Sequence, residues 1–343
     1  MPKRRNKAKS KFKMAFLGCE PWEQKELREK FKKHDIIFLP SLETPADYKK
    51  IKDREIISCF IYSRFGQKEF ELLPELKYIT TRSTGFDHID LQAAKKFKVK
   101  VSNVPEYGSN TVAEHTFALI LALARKLYQS IERTKRSDFS LDGLRGFDLQ
   151  GKTIGVVGTG NIGAHVIRIA AGFGMNILAY DVKKNQKLAR KYKIKYVSLN
   201  KLLGQSDIIS LHVPYNKYTH HLINKNNIKF IKKGAILINT ARGGVVETKA
   251  LVKALTSGIL AGAGLDVLEE EGFIKEETQL LDKQVSEDML QTLLQDHILL
   301  HMDNVIVTPH NAFNSHEALG RILKTTIENI ESFMKGKVIN RVV

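Results

Sequence analysis

The sequence predicts an α/β fold built from two doubly wound parallel sheets. Short strand-like runs alternate with amphipathic helical segments along nearly the whole chain, and this alternation is typical of parallel sheets covered by helices. Near the middle of the chain, a glycine-rich turn at G-x-G-x-x-G spacing separates a predicted strand from a predicted helix. The 343 residues are enough for two domains of ordinary size.

The first hundred residues predict a small α/β domain. Amphipathic helices, such as 23–33 and 91–97, separate its predicted strands. These strands are 14–17, 36–39, 56–62, 78–81 and 99–104. Residues 1–13 hold seven basic residues and no acidic one, and we expect them to form a disordered, solvated tail.

Residues 152–163 predict a strand followed by a phosphate-binding turn. A β-branched run, 153–157, leads into Gly158, Gly160 and Gly163. In such a turn the first glycine reverses the chain, the second lets backbone N–H groups approach a pyrophosphate, and the third allows the helix to pack closely on the strand. The N-terminus of the following helix adds positive partial charge, so the stretch predicts dinucleotide binding.

The next predicted strand, 176–180, ends on Asp181, 18 residues after the third glycine. A carboxylate at this position accepts hydrogen bonds from the adenine ribose and repels a 2′-phosphate. The sequence therefore predicts NAD rather than NADP. Lys183 and Lys184 leave the strictness of this choice open, because they could tolerate a 2′-phosphate.

The remaining segments predict a second sheet of six or seven strands. Polar residues are frequent where these strands end. One long helix is predicted over 111–130, and it is apolar nearly all round between 117 and 124. Such a helix must be covered on all sides, so we expect a core position, a homodimer contact, or both. A last helix, 317–334, is expected to return to the first domain. The further strands are 196–197, 208–213, 235–239, 261–267 and 305–308.

Three side chains just beyond separate predicted strands suit the reduction of a 2-keto acid. Arg242 can hold a substrate carboxylate in a bidentate grip and polarise the carbonyl oxygen. His310 can donate the proton that the new alkoxide needs, and a nearby carboxylate such as Glu271 would favour the imidazolium form. Ligand groups gather at the carboxyl ends of parallel strands, so we expect these residues to converge.

Seven motifs, in order along the chain, resemble the D-isomer-specific 2-hydroxyacid dehydrogenases. The resemblance begins at about residue 13 and covers nearly the whole chain. Within the family, the sequence of these motifs is most similar to that of the D-lactate dehydrogenases. The motifs are RSTGFDHID (82–90), VAEH (112–115), VGTGNIG (157–163), HVP (212–214), NTARGG (239–244), GLDVLEEE (264–271) and TPHNAF (308–313).

The resemblance implies a domain arrangement and catalytic roles. A Rossmann NAD-binding domain, 109–313, would be inserted in a smaller flavodoxin-like substrate domain formed by 14–108 and 314–343. Arg242 matches the substrate-orienting arginine, and His310 matches the acid/base. Glu271 matches the glutamate that partners the histidine, and is preferred over Glu269 and Glu270 because it lies five residues after Asp266.

The resemblance also implies binding residues. Thr84, Gly85 and Tyr107 match positions around the substrate, and Asp266 is expected near the nicotinamide carboxamide. The positions matching cofactor contacts are Gly158, Gly160, Asn161, Ile162, Gly163, Asp181, Val213, Pro214, Thr219, Thr240, Ala241 and Asp266.

The amino-acid composition limits which partners the protein is expected to bind. The net charge is +18, but no aromatic stacking platform or recognition-helix pattern accompanies the basic residues, so a nucleic-acid partner is not expected. The two cysteines form no metal-ligand cluster, and no metal is expected. No apolar run has the length of a membrane span, and no secretory signal is evident, which together predict a cytoplasmic protein.

We therefore expect an NAD-dependent oxidoreductase acting on a small 2-keto or 2-hydroxy acid, with pyruvate and D-lactate as the favoured pair. Glyoxylate or hydroxypyruvate reduction and phosphoglycerate oxidation are alternatives within the same class. A non-enzymatic alternative is an NAD-sensing binding protein, like the corepressors built on the same scaffold.

Overall fold

A computed structural model describes residues 11–42, 44–269 and 287–343 of the chain. The chain divides into two compact units, one formed by Met1–Tyr107 with Ser315–Val343 and the other by Gly108–Asn314. Each unit contains one sheet whose described strands all pair in parallel. The predicted α/β fold with two parallel sheets is confirmed.

In the first unit, the part of the chain that the structure describes forms a five-stranded sheet in the order β2-β1-β3-β4-β5. Alternate residues of β1 belong to different cores: Met14 and Phe16 pack in one hydrophobic cluster, and Ala15 and Leu17 pack in the other. Successive side chains of a strand point to opposite faces, so this sheet is buried on both faces. The strands are β1 (Lys13–Leu17), β2 (Asp35–Leu39), β3 (Ile56–Cys59), β4 (Tyr78–Thr81) and β5 (Lys100–Ser102). The helices among the first hundred residues are α1 (Pro21–Lys30), α2 (Pro45–Lys50), α3 (Gln67–Glu71) and α4 (Leu91–Lys96).

The end of the chain packs on this first sheet. The helix His316–Met334 contributes Leu323 and Ile330 to the cluster that contains Met14. Its buried Asn329 donates from Nδ2 to the Asn103 carbonyl at 2.9 Å and to Thr80 Oγ1 at 3.2 Å. A buried amide costs free energy unless it is hydrogen-bonded, so these contacts fix one seating of the helix on the sheet.

The predicted basic tail of residues 1–13 is partly wrong. Residues 1–10 lie outside the described residues, but Phe12 donates its N–H to His34 Nδ1 at 3.2 Å. Its ring also contacts those of His34 and Phe333, and Lys13 begins β1. Phe12 and Lys13 therefore belong to the fold, contrary to what charge alone predicted, because the Phe12 side chain occupies a partly buried site.

The described residues of the second unit form a seven-stranded sheet in the order β12-β11-β10-β9-β6-β7-β8. Strands β7 and β8 are added on one side of β6, whereas β9 to β12 are added on its other side, so the strand order reverses between β6 and β9. Parallel sheets bind ligands beside such a switch point. The strands are β6 (Thr153–Val157), β7 (Asn176–Tyr180), β8 (Lys195–Tyr196), β9 (Ile208–Leu211), β10 (Ala235–Asn239), β11 (Leu260–Leu265) and β12 (Val305–Val307). The remaining helices are α5 (Ser109–Ala124), α6 (Leu127–Lys135), α7 (Asn161–Gly172), α8 (Gln186–Tyr192), α9 (Leu199–Gln205), α10 (Thr248–Thr256), α11 (Glu287–Leu300) and α12 (His316–Met334), of which α12 belongs to the first unit.

The helix predicted over 111–130 is two helices. Lys126 has a left-handed φ of 49°, and it separates α5 from α6. The Ala124 carbonyl accepts the N–H of Phe147 at 2.9 Å, so a distant segment takes a bond that a continuous helix would use. The apolar face of α5 is covered within its own unit, where Phe117 and Ile120 are buried. Among the described residues, no helix combines the length and apolar character needed to cross a bilayer.

Candidate active site

The glycine-rich turn after β6 has the shape that a pyrophosphate requires. Gly158 has φ +92°, and a Cβ there would lie 2.5 Å from the His212 carbonyl oxygen. A Cβ on Gly163 would lie 2.0 Å from the Gly158 carbonyl oxygen, so only glycine fits at both positions. A Cβ on Gly160 would meet no atom within 4 Å, so the turn is open on that side.

Asn161 and Ile162 begin α7 beside this open side. The N-cap residue is Gly160, which has no side chain to cap the helix N-terminus. The first backbone N–H groups of a helix have no partner within the helix, and they attract anions. The residues of this turn therefore fit the pyrophosphate of a dinucleotide.

Asp181 lies just after β7, at the same edge of the sheet. Its Oδ2 accepts the Thr159 N–H at 2.6 Å and the Thr159 hydroxyl at 2.9 Å, and its Oδ1 accepts the Lys183 N–H at 2.8 Å. Burial acts to raise the pKa of this carboxyl, but hydrogen bonding, to which the Val182 backbone also contributes, outweighs burial and holds the pKa below its ordinary value. Asp181 is therefore an ionised acceptor, as NAD binding requires.

The chain after β9 forms a tight turn at the same edge. Thr219 donates its hydroxyl to the Pro214 carbonyl at 2.6 Å and accepts the Asn216 N–H at 2.8 Å. A Cβ on Gly158 would lie 3.0 Å from Val213 Cγ1, so Val213 packs against the glycine turn. Three of the predicted cofactor contacts therefore lie in one segment beside the phosphate-binding turn.

Arg242 lies in the loop that follows β10. Asn239 fixes this loop, because its Nδ2 donates to the Arg242 carbonyl at 2.9 Å and its Oδ1 accepts the Ala241 N–H at 3.0 Å. Thr240 is buried and pairs its hydroxyl with that of Thr116 at 3.0 Å. The Arg242 guanidinium is half-buried and donates to the Ala241 carbonyl at 2.7 Å. The loop therefore holds a cation near the carboxyl end of β10.

Asp266, which follows β11, organises the loop after β12. Its side chain is 1% exposed, and its Oδ1 accepts the Thr308 hydroxyl at 2.5 Å and the Asn311 N–H at 3.0 Å. Its Oδ2 accepts the Ala312 N–H at 2.9 Å. His115, from α5, lies 3.1 Å from the Thr308 hydroxyl through its Nε2. The hydrogen bonds of this carboxylate are therefore with the loop that carries His310, and His115 Nε2 lies 3.5 Å from its Oδ1. Its predicted proximity to the nicotinamide stays a prediction.

His310 sits within this loop in the left-handed region, with φ 55°. Its N–H donates to the Thr308 carbonyl at 2.9 Å, and the side chain is half-buried. A non-glycine residue adopts this backbone conformation at a cost, so the surrounding hydrogen bonds must hold it there. The loop is thus built to present one imidazole at the end of β12.

Glu271, the predicted partner of His310, lies outside the described residues. Glu269, which was weighed against it, has other partners: its Oε2 accepts the Thr248 N–H at 3.1 Å and hydroxyl at 2.7 Å. Its Oε1 accepts a hydrogen bond from His221 Nε2. Because both Glu269 oxygens are engaged beside α10, the structure gives no support to Glu269 as the partner of His310.

The predicted substrate-binding residues belong to the first unit. Thr84 is exposed just beyond β4, with its hydroxyl donating to the Val104 carbonyl at 2.9 Å. The neighbouring Gly85 carbonyl accepts the Ser83 hydroxyl at 2.6 Å, and the Tyr107 carbonyl accepts the Arg321 Nε–H at 2.6 Å. These bonds fix the backbone of both loops.

Sequence reasoning missed the residues that support the site. The motif gives Thr159 no role of its own, although its hydroxyl joins Asp181 to Tyr196. His221 and Thr248 lie in none of the motifs, and their shared partner Glu269 is distant from both in sequence. Only the expectation that strand ends converge could have suggested them.

The fold and the site together define an NAD-binding α/β oxidoreductase. Residues 117–312 match the family model described as D-isomer specific 2-hydroxyacid dehydrogenase, NAD binding domain. D-lactate dehydrogenase of Escherichia coli is 34% identical over 329 residues, which are 95% of this chain and 98% of that protein. Glyoxylate reductase of Korarchaeum cryptofilum is 35% identical over 293 residues, which are 84% of this chain and 82% of that protein.

A solved structure gives the same result. D-lactate dehydrogenase from Aquifex aeolicus, complexed with NAD and lactic acid, superposes with a TM-score of 0.85 at 37% identity and covers 95% of this chain and 99% of that one. The chain belongs to the D-isomer specific 2-hydroxyacid dehydrogenase family. It is an NAD-dependent dehydrogenase.

Proposed function

We propose that this enzyme interconverts pyruvate and D-lactate. The observation that carries the proposal is the placement of Arg242, Asp266 and His310 just beyond β10, β11 and β12, which are successive neighbours in the sheet. Neighbouring strands lie ~4.8 Å apart, so the ends of β10 and β12 are roughly 10 Å apart. A three-carbon keto acid is small enough to be reached from both loops.

Each side chain has a distinct role in the proposal. The Arg242 guanidinium holds the carboxylate of the keto acid and polarises its carbonyl. When bound, NADH supplies the hydride that the carbonyl carbon accepts. The protonated His310 imidazole gives its proton to the carbonyl oxygen as that carbon is reduced, which yields the hydroxyl of the product. Asp266 keeps the loop of His310 in place.

The remaining predicted residues complete the proposal. Glu271 would hold His310 in the protonated form. Thr84 and Gly85 would offer backbone N–H groups to the substrate carboxylate, and Tyr107 would limit the size of the group on the keto acid. The names of the relatives from E. coli and A. aeolicus support pyruvate and lactate, whereas the relative from K. cryptofilum supports glyoxylate.

A panel of keto acids tests the substrate. We expect NADH oxidation with the highest kcat/KM for pyruvate, compared with glyoxylate, hydroxypyruvate, 2-ketoisocaproate and phosphohydroxypyruvate. Chiral chromatography of the product should give D-lactate. A higher kcat/KM for glyoxylate or hydroxypyruvate would replace pyruvate as the substrate. NADH binding without reduction of any compound would favour the NAD-sensing alternative.

We also propose a cytoplasmic homodimer, on a different surface from the one that the sequence suggested. Leu127, Tyr128 and Ile131 on α6 are about half exposed, and Phe139 and Leu141 beyond the helix are 78% and 82% exposed. Several large apolar side chains exposed within one short stretch of chain favour protein association.

Light scattering at micromolar concentration tests the dimer. The wild-type chain should have twice the monomer mass, and Ile131→Asp should shift it to the monomer. The matched control is Phe230→Ser, which changes an exposed apolar side chain outside this patch and should leave the mass unchanged. A monomeric wild-type protein would contradict the proposal.

A further inference from the structure

A hydrogen-bonded chain connects β8 to the carboxylate that selects the cofactor. The backbone N–H of Asn185 donates to Tyr196 Oη at 3.0 Å. Tyr196 Oη lies 3.0 Å from Thr159 Oγ1, which in turn lies 2.9 Å from Asp181 Oδ2. Tyr196 is half-buried and Thr159 is 5% exposed, so competing water is largely excluded from the middle of the chain.

The chemistry of each group fixes the direction of every proton. A backbone N–H can only donate, so Tyr196 Oη accepts from Asn185 and keeps its own proton for Thr159. An ionised carboxylate can only accept, so the Thr159 hydroxyl donates to Asp181. Each hydroxyl therefore accepts one hydrogen bond and donates the next. The protons of this hydrogen-bonded series, from Asn185 to Asp181, have a single possible arrangement.

The arrangement restrains Asp181. Its Oδ2 accepts two hydrogen bonds from Thr159, and its Oδ1 accepts one from Lys183 and retains a lone pair for a ribose hydroxyl. To turn away from a 2′-phosphate, the carboxylate would have to give up all three bonds. The exposed Lys183 and Lys184 follow Asp181 after one intervening residue, Val182, and would attract that phosphate if the carboxylate moved.

We propose that Tyr196, acting through Thr159, is a positioning residue for cofactor selectivity. It locks the Asp181 carboxylate in the orientation that admits NADH and rejects NADPH. Without the lock, the carboxylate can rotate, and the adjacent lysines can bind the 2′-phosphate. The proposal rests on the NAD-binding function alone and is independent of which keto acid is reduced.

Calorimetric titration of the purified protein with NADH and with NADPH, without substrate, tests this proposal. The readout is the ratio of the NADPH Kd to the NADH Kd. In Tyr196→Phe we expect this ratio to fall by about 2- to 12-fold, the range that corresponds to the loss of one hydrogen bond. Thr159→Val should lower the ratio as well, whereas Thr159→Ser, which keeps the hydroxyl, should preserve it.

Two further variants complete the design. Tyr192→Phe removes a nearby phenol from α8 outside the hydrogen-bonded chain and should leave the ratio unchanged. Asp181→Ala should lower the ratio more than any other variant. A merely structural role for Tyr196 would weaken both cofactors equally, so an unchanged ratio in Tyr196→Phe would overturn the proposal. So would an unchanged ratio in Asp181→Ala. Both results are independent of activity with pyruvate.

Discussion

Asp266 Oδ2 accepts the backbone N–H of Ala312 at 2.9 Å, which joins the end of β11 to the loop after β12. The same carboxylate accepts the Thr308 hydroxyl and the Asn311 N–H, so it holds the chain on both sides of His310. His310 has a left-handed backbone that needs such support. A buried acid thus positions the imidazole of a neighbouring strand end.

Asp266→Asn should impair both stability and turnover. An amide nitrogen cannot accept a hydrogen bond, so it would face a backbone N–H or a donated hydroxyl in this loop. We expect a loss of about 1–3 kcal/mol in the free energy of unfolding and at least a tenfold drop in kcat. Urea titration and NADH oxidation measure the two effects. The exposed Asp148→Asn is the control, and an Asp266→Asn enzyme with wild-type kcat would refute the role.

Glu269→Gln should raise KM for the keto acid more than it lowers kcat. Glu269 links His221 to Thr248, and the His221 N–H donates to the Gly244 carbonyl two residues after Arg242. Loosening this loop weakens the grip on the substrate carboxylate, and we expect KM to rise about 3- to 10-fold. Steady-state kinetics with varied pyruvate measures the change. Glu132→Gln on α6, whose carboxylate pairs with Lys135 at 2.9 Å, is the control, and an unchanged KM in Glu269→Gln would refute the link.

Replacing two glycines of α7 by alanine should have different effects, one on NADH binding and the other on stability. A Cβ on Gly163 would collide with the Gly158 carbonyl, so Gly163→Ala should displace the turn and weaken NADH binding at least tenfold, or about 1.4 kcal/mol. A Cβ on Gly172 would meet no atom within 4 Å, so Gly172→Ala should stabilise the protein by about 0.5–1 kcal/mol. NADH titration and thermal unfolding measure both. Equal NADH affinity in the two variants would show that the turn tolerates a side chain.

His212 should make the protein sensitive to acid. No hydrogen-bond partner for its buried Nδ1 lies within the described residues, and burial lowers its pKa to about 3. The unfolded chain, with an ordinary histidine pKa of ~6.5, therefore binds more protons between pH 6.5 and pH 3. The contribution of neutral His212 to the free energy of unfolding is fully present above pH 6.5. It falls toward pH 3 by up to about 1.4 kcal/mol per pH unit.

His212→Asn should remove this part of the pH dependence. Urea unfolding at pH 7, 5 and 4 measures it as the difference in stability between wild type and variant. We expect that difference to shift in favour of the variant as the pH falls. A difference that stays constant with pH would contradict the assignment.

The sequence predicted the strands and the phosphate-binding turn well because both depend on local features. Hydrophobic runs located β6 and β10, and the spacing of Gly158, Gly160 and Gly163 located the turn. The positions of Asp181, Arg242 and His310 at strand ends followed from the parallel topology alone. The chemistry of these side chains could therefore be anticipated before their partners were known.

Contacts between distant segments could not be predicted in the same way. The break at Lys126 depends on the Ala124 carbonyl, which is bonded to Phe147. The phenol of Tyr196 reaches Thr159 across 37 positions of sequence, and no periodic pattern marks such a pair. Tertiary contacts decide these features, and local propensity is silent about them.

The central claim is that His310, held by Asp266 at the end of β12, acts with Arg242 on a keto acid. The most direct measurement is kcat for NADH oxidation with pyruvate by His310→Ala, together with calorimetric NADH binding. We expect a loss of at least ~100-fold in kcat, with the Kd for NADH unchanged within a factor of two. A His310→Ala enzyme that binds NADH normally and turns over within a few-fold of wild type would contradict it.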